Sequence, residues 1–548
     1  MRHLAKSDFE SRPDQADQAD QAMAARAGPA PARDFQTYLA RFGGIAARDL
    51  QRALEQADQS GVPLDEVLRA NGYLSEVDIA RARAGFSGLG FVSLLAMPPD
   101  PRLTGLLDPA ECLALSVLPW RVMGGLTWVA VPDRDTFDAN REMLRARFGP
   151  VAPVACDRSN LQRAVAMQGG VVLRDRAEAR VDPEWSARIW PRIIDDKRLW
   201  FVLALVALVA VLMPSVLVIG LLVWMILTLA ASTFLRAVAL MNTALPRPVV
   251  PQNGQALPEI SILVPMYNEP DIAQRLLRRL ERLDYPRELL DLVLVLEQDD
   301  TATQDALAAA HLPPWIRVII APPGVLRTKP RAMNYALDFC HGSIIGIYDA
   351  EDAPESGQLR EVAAHFASAS PDLACLQGAL DYYNPHTNWL ARCFTVEYAA
   401  WFRVMMPTLQ RLGLPMPLGG TTLFIRRDIL EQIGAWDAHN VTEDADLGVR
   451  LARYGYRTEM LASTTEEEAN CRLRPWLRQR SRWIKGHLLT WAVHMRDPVR
   501  LWRDLGPRAF IGYQVVFLGA QSQVLLAPFM WSFWLAFAGL PHPVSGLV

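Results

Sequence analysis

Four short clusters in this sequence hold residue types that do chemistry. They are Glu297-Gln298-Asp299-Asp300, Asp349-Ala350-Glu351-Asp352, Thr442-Glu443-Asp444 and Gln479-Arg480-Ser481-Arg482-Trp483. Asp349 and Glu351 suit a hard cation such as Mg2+ or Mn2+, which takes oxygen ligands and bridges phosphates. Asp444 is a carboxylate, a residue type that can accept a proton in general acid–base chemistry. Lys329 lies between the first two clusters. It is a point charge on a flexible stem, well matched to phosphate. All of these residues fall within 258–491, and apolar segments flank that stretch on both sides.

The elements that must position them can be read from the surrounding pattern. Glu259-Ile-Ser-Ile-Leu-Val-Pro265 is a short apolar run with β-branched residues, read as a buried parallel strand. Met266-Tyr267-Asn268-Glu269 follows as a loop at its carboxyl end. Residues 272–283 read as an amphipathic helix, and 290–296 as a second strand that ends in Glu297-Gln298-Asp299-Asp300. Strand, helix, strand is a βαβ unit, and ligands of such sheets bind beyond the carboxyl ends of the strands. A third strand, 316–320, leads toward Thr328-Lys329-Pro330-Arg331-Ala332-Met333-Asn334. A fourth, 343–348, ends at Asp349. Gly419-Gly420-Thr421-Thr422 precedes a further apolar run, and a helix is expected from Asp446 to Tyr454, directly after Asp444.

In this order, Val264-Pro-x-Tyr267-Asn-Glu269, Asp299-Asp300, Lys329-x-x-x-x-Asn334, Asp349-x-Glu351, Thr442-Glu443-Asp444 and Gln479-x-x-Arg482-Trp483 resemble the motifs of family 2 glycosyltransferases with a GT-A fold. The class most similar is the membrane-integrated inverting synthases, such as those of cellulose and hyaluronan. The resemblance implies an α/β GT-A catalytic domain at 255–491, a UDP-sugar donor and Mg2+ or Mn2+ as cofactor. It also implies roles. Asp299 would recognise the uracil, with Asp300 sharing or replacing that role, and Tyr267 would pack near the base with Glu269 in the same loop. Lys329 and Asp349 would lie at the donor diphosphate. The family's Asp-x-Asp reads Asp349-x-Glu351 here with Asp352 adjacent, so these three are the candidate metal ligands. Gly420 would line the acceptor terminus. Asp444 would be the base, with Thr442 and Glu443 beside it. Trp483 would stack on an acceptor sugar and Arg482 meet the pyrophosphate, with Gln479 and Arg480 in the same motif.

The rest of the chain serves that stretch. Of its 548 residues 51% are hydrophobic, high for a wholly soluble protein. The formal net charge of −3 gives no basic field for nucleic acid. The six cysteines form no Cys-x-x-Cys pair, which favours reduced thiols over a zinc site or disulfide framework. Residues 1–34 repeat Asp-Gln-Ala and have few large apolar side chains, so a disordered tail is expected. Residues 35–170 read as a small α+β domain. Helical periodicity covers 49–59 and 64–83, with Gly72 closing one helix and Ser75 opening the next, and strands are expected at 113–118 and 126–131 around Gly124-Gly125. Leu64-x-x-Val-Leu-x-x-x-Gly72-Tyr-Leu-Ser75, Leu89-Gly-Phe-Val-Ser-Leu94, Val117-Leu-Pro-Trp120 and Gly125-Leu-Thr-Trp-Val-Ala-Val-Pro-Asp133 resemble the N-terminal domain of type II secretion and type IV pilus ATPases. Some members of that family bind cyclic di-GMP through an Arg-Leu-Gly…Gln pattern. Here that slot reads Pro63-Leu64-Asp65 and the closing position falls near Phe86, so the resemblance implies either cyclic di-GMP or a docking protein as partner.

Residues 171–198 read as a linker, with Trp185, Trp190 and Arg192 placed at a membrane interface. Residues 199–235 carry no charge, and one straight helix of that length would run about 55 Å against a hydrocarbon core of about 30 Å. A transmembrane hairpin at 199–240 broken at Pro214 fits better, and basic residues at both ends place both in the cytoplasm. Residues 492–548 read as an interfacial helix followed by one or more spans, and the natural chain is expected to continue beyond them. The expected setting is a multi-pass protein of a bacterial-type inner membrane with its catalytic domain cytoplasmic. The expected function is transfer from a UDP-sugar to a growing polysaccharide for export. The alternatives are a single-sugar transferase acting on a lipid carrier and an inactive membrane scaffold.

Overall fold

The computed structural model describes residues 34–189, 197–241, 248–249, 256–310 and 312–540. Residues 1–33, where the tail is expected, lie outside these, as do Trp190 and Arg192.

The N-terminal module opens with helices Phe35–Phe42, Ala47–Ser60, Leu64–Ala70 and Glu76–Ser87. Gly72 and Ser75 divide the last two as expected: Gly72 has φ +68°, and the Ser75 hydroxyl accepts from Asp78 N at 3.2 Å. A three-stranded sheet follows, of β1 (Leu118–Met123), β2 (Leu126–Val131) and β3 (Val151–Ala155) in that order. β1 and β2 are antiparallel around Gly124-Gly125, and β2 and β3 are parallel. The strand expected at 113–118 is corrected. Pro109–Leu115 is a helix, because Asp108 caps it through Ala110 N at 2.8 Å with Pro109 at its first position. The long helix Arg158–Ala179 takes in the first part of the expected linker.

The second sheet has eight strands: β4 (Ile260–Met266), β5 (Leu290–Glu297), β6 (Ile316–Ala321), β7 (Ile344–Ile347), β8 (Ala353–Pro354), β9 (Leu373–Tyr382), β10 (Leu423–Arg426) and β11 (Arg457–Glu467). Their order is β6-β5-β4-β7-β10-β9-β11-β8. β6, β5, β4 and β7 are parallel neighbours, β10 is antiparallel to both β7 and β9, and β11 is parallel to β9. This mixed sheet is GT-A-like, as expected. Its central strands are buried on both faces, which is why their sequences read as unbroken apolar runs.

The two sheets are not independent bodies. One buried apolar cluster runs from Val129, Leu161 and Leu173 of the N-terminal module into Leu263, Val293, Met333 and Ile347 of the large sheet. Polar ties reinforce it. Arg317 donates to Asp291 at 2.8 Å and to Gln162 of the long helix at 2.9 Å, and Arg180 pairs with Asp338. Beyond that helix the chain crosses the large domain. Ser186 Oγ and Ala187 N donate to the buried Asp437 at 2.8 and 2.6 Å. Trp185, expected at a membrane interface, is instead buried with the Arg453 guanidinium 4.2 Å from its ring centre. A cation–π contact to a buried arginine holds it there.

Two helical runs, Pro214–Met241 and Pro498–Leu535, are long and apolar enough to cross a membrane, and Lys197–Leu212 adds a shorter apolar helix. Lys197–Leu212 and Pro214–Met241 meet at Met213, whose N–H donates to Val209 O at 2.8 Å and whose carbonyl accepts from Leu217 N at 3.3 Å.

Candidate active site

The site forms where β4, β5 and β7 end. β7 passes into Asp349, and the turn that follows is braced from inside. Asp352 is fully buried, and one of its oxygens accepts from Asp349 N at 2.8 Å and from the Thr421 hydroxyl. Burial, then the charge of Asp349, raises the Asp352 carboxyl well above the ordinary range. Arg279, from the helix Ala273–Leu280, donates to the carbonyl of Glu351 and fixes the turn from above.

Lys329, at the start of the helix Lys329–Leu337, joins the two sides of the site. Its ammonium donates to Asp349 Oδ1 at 2.5 Å and to the Gly420 carbonyl at 2.7 Å. Burial pulls its pKa down, but Asp349 and Glu443 outweigh that and leave it above the usual lysine value. Gly420 in turn faces Asp444: a Cβ added there would lie 3.2 Å from Asp444 Oδ2 and 3.8 Å from Lys329 Nζ. Gln377 holds this segment, accepting from Gly419 N at 2.8 Å and donating to Thr421 O at 3.1 Å.

Glu443 and Asp444 open the helix Glu443–Arg453, where the free N–H groups of the first turn favour carboxylates. Asp444 Oδ1 accepts from Ala445 N at 2.7 Å, which leaves Oδ2 on the Gly420 side. Burial, then Asp444, pushes Glu443 up to about 8, and Asp444 is itself raised by burial against the opposing pull of Lys329. Thr442 faces Gly486 of the helix Leu473–His494, so closely that a Cβ on Gly486 would overlap its side chain. Asn440 Nδ2 donates to Thr490 Oγ1 at 2.9 Å, and Asp446 bridges Arg450 at 2.7 Å and His494 at 3.1 Å. The helix carrying Trp483 is thus locked to the helix carrying Asp444.

On the donor side Asp299 is ion-paired with Arg327 at 2.7 Å. Asp300 is corrected: it is buried, one oxygen caps the helix Thr301–Ala309 through Thr303 N at 3.2 Å, and the other accepts from Asn268 N at 2.6 Å. With both oxygens on backbone N–H groups it shapes the loop instead of facing a base. Tyr267 in that loop is exposed. Glu269 is pushed up to about 7, first by burial and then by Glu351 and Asp349. Its Oε2 is buried without a hydrogen-bond partner.

The basic–aromatic motif is divided. Trp483 lies against Phe394 and Tyr398 with ring centres 6.0 and 6.3 Å away, and Arg482 is exposed. Gln479 accepts from Asn470 at 2.9 Å. Arg480, expected with the acceptor and pyrophosphate set, pairs with Glu397 and lies over the Phe394 and Trp483 rings. Its guanidinium orders this aromatic group.

The three expected metal ligands, Asp349, Glu351 and Asp352, are not gathered into one cluster. Among the described residues no group of three or more His, Cys, Asp or Glu is gathered to hold a metal ion. The reason is the inward turn of Asp352 and the hold of Lys329 on Asp349. In donor chemistry the site still fits a hard cation. Glu269, Glu351 (pushed up to about 6) and Glu467 are each raised by burial and then by neighbouring carboxylates, the uncompensated oxygen charge that such a cation neutralises.

Sequence reading missed Glu467, Arg279, His487 and Gln377. Glu467 ends β11 and feels Asp352 and Asp349. The run Glu466-Glu467-Glu468 at the end of a strand is the same kind of signal that found Asp349, weakened here by the threonines before it. His487 lies one helical turn past Trp483, bonds its carbonyl at 2.8 Å and is pulled down by burial while feeling Asp444.

The family model described as glycosyltransferase like family 2 matches residues 258–486, and the MshEN domain model matches 87–169. The chain is 26% identical over 239 residues to a probable glycosyltransferase, YdaM, of Bacillus subtilis, covering 43% of this chain and 57% of that protein. It is 28% identical over 278 residues to a beta-monoglucosyldiacylglycerol synthase of Synechocystis, covering 48% and 56%. The chain therefore spans little more than half the length of these curated relatives. A mannosyltransferase of Pyrobaculum calidifontis, solved with GDP-Man and Mn2+, is similar at 20% identity and a TM-score of 0.43, covering 60% of this chain and 88% of that one. The chain carries a family 2 glycosyltransferase domain, with an MshEN domain ahead of it.

Proposed function

We propose that this chain transfers a hexosyl unit, with inversion, from a UDP-sugar to an acceptor presented at a membrane. The observation that carries this reading is the convergence of Lys329, Gly420 and Asp444. A side chain at Gly420 would begin 3.2 Å from Asp444 Oδ2 and 3.8 Å from Lys329 Nζ, so a carboxylate oxygen and a positive charge border one position that has no side chain. In the reaction the acceptor hydroxyl oxygen forms a bond to C1 of the sugar, the C1–phosphate oxygen bond breaks, and UDP leaves with that electron pair. Asp444 takes the hydroxyl proton, while Lys329 and Arg482 offset the charge on the leaving diphosphate. Asp349 and Glu351 would hold Mg2+ or Mn2+, which supplies charge neutralisation at the diphosphate. Asp299 and Tyr267 are the donor-base side, and Trp483 is the acceptor side.

The Gln479-x-x-Arg482-Trp483 helix favours a growing polysaccharide as acceptor, with export across an inner membrane. Similarity to beta-monoglucosyldiacylglycerol synthases favours the second reading, a single sugar placed on a lipid. The two apolar helical runs supply the membrane seat in either case. UDP release assayed against each UDP-sugar, followed by product sizing, tests both. Long chains support the first reading and one glycolipid the second, while no UDP release from any donor removes the proposal. For the N-terminal module we favour protein docking over cyclic di-GMP. Asp65, in the slot that Gly fills in binding members, is ion-paired to Arg83 at 2.6 Å. A flat calorimetric titration of the full chain with cyclic di-GMP is expected, and saturable heat would reverse this preference.

A further inference from the structure

We infer that Glu178, on the last turn of the N-terminal module's long helix, is a positioning residue for the sugar donor. The helix Arg158–Ala179 ends against the loop 322–328. That loop carries Arg327, the ion-pair partner of Asp299, and leads directly into Lys329. Glu178 Oε1 accepts from Leu326 N at 3.2 Å, one residue before Arg327. The approach depends on Gly324: a Cβ there would overlap the Glu178 carboxylate and would come within 2.7 Å of Arg331 Nη1. Arg331 closes the other flank, bonding Glu297 at 2.5 Å and Pro322 O at 2.7 Å.

Neighbouring contacts reinforce the grip. Asn334 Nδ2 donates to Ala177 O at 2.9 Å and to Trp436 O at 2.7 Å, and Arg180 pairs with Asp338 just past the helix Lys329–Leu337. The last helical turn of one module therefore holds both ends of the segment that sets Arg327 and Lys329. A backbone N–H held by a carboxylate is a charge-assisted bond, stronger than a neutral one. Loss of this bond frees the loop to leave Asp299, so the N-terminal module sets donor affinity through a contact that touches no substrate.

The inference rests on the proposed donor site, and the experiment separates the two. Full-length wild type, Glu178→Ala, Glu178→Gln and, as control, Arg163→Ala on the exposed face of the same helix are compared in detergent. UDP and GDP dissociation constants, donor KM, kcat and Tm are measured for each. For Glu178→Ala we expect UDP affinity weakened and donor KM raised about tenfold, with kcat at saturating donor within about twofold. Glu178→Gln keeps an acceptor oxygen and is expected to recover wild-type KM within about threefold, and Arg163→Ala to be unchanged. Unchanged UDP affinity in Glu178→Ala overturns the inference alone. So does an equal loss in Glu178→Gln, or a loss of kcat and Tm with KM unmoved. Wild type that binds neither UDP nor GDP overturns the donor site and this inference together.

Discussion

At the residue scale the site works by placing charges where burial makes them matter. Asp444 must be ionised to accept a proton, yet burial raises its carboxyl and Glu443 beside it stands at about 8. The sign follows directly: a base with a raised pKa is protonated over more of the acid range, so kcat/KM is expected to rise with pH as this pair loses its proton. A flat profile from pH 5 to 9 would remove Asp444 from the rate-limiting proton transfer. Gly420→Ala puts a methyl group 3.2 Å from Asp444 Oδ2. Its kcat is expected to fall by about ten- to a hundredfold, with Tm little changed, because the acceptor position is displaced while the sheet stays intact. Asp352→Asn is expected to keep activity within a few-fold and Tm close to wild type. Burial raises the Asp352 carboxyl well above its ordinary range, and an amide is nearly isosteric with it and keeps an acceptor oxygen for Asp349 N and the Thr421 hydroxyl. Asp349→Ala is expected to be far more damaging, and equal losses in the two variants would return Asp352 to the metal set. Asp349 was legible as a candidate because a carboxylate directly follows an apolar run that forms a buried strand. Asp300 was over-read because a capping carboxylate and a ligand-facing one look alike until the backbone N–H groups around them are placed.

At the element scale the four strands β4 to β7 were legible almost residue for residue. β4, β5 and β7 are buried on both faces, β6 at the sheet edge is not, and all four read as apolar runs bounded by polar loops. The segment 113–118 misled because a short apolar run carries no helix–strand signal of its own, and the Asp108-Pro109 helix start before it was passed over. β11 was missed for a different reason. Its pairing with β9 is irregular between Met460 and Thr464, and its polar threonines break the pattern. Glu178 could not be found by pattern at all, because its partner lies 148 residues away. The contact between the two catalytic helices belongs to this scale. Gly486→Ala would drive the helix Leu473–His494 off Thr442. The expected result is a fall in kcat with UDP affinity retained, read by single-turnover kinetics beside calorimetry. Loss of UDP binding instead would place that helix on the donor side.

For the whole molecule, one continuous core ties the N-terminal module to the large sheet, so titration of the site bears on global stability. Glu269 at about 7 and Glu443 at about 8 bind protons in the folded chain that the unfolded chain has released. At these two groups the folded state is the more protonated one, so their contribution to stability falls as pH rises, from about 4.3, the ordinary Glu value, through these folded values, while His341, His487 and His494, held down by burial, contribute in the opposite sense below about pH 6.5. In chelator, Tm is expected to drop between pH 6.5 and 8, and Mn2+ is expected to reduce the drop by neutralising the same carboxylates. A Tm that climbs from pH 6.5 to 8, above the range where the buried histidines act, would contradict the assigned charge states. The central claim is tested by UDP release from the full chain in membrane vesicles, wild type beside Asp444→Asn, with UDP affinity measured on both. The account predicts donor-specific UDP release by wild type, a loss of about 10²- to 10⁴-fold in Asp444→Asn and UDP affinity nearly equal in the two. Asp444→Asn retaining more than about a tenth of the rate would contradict it.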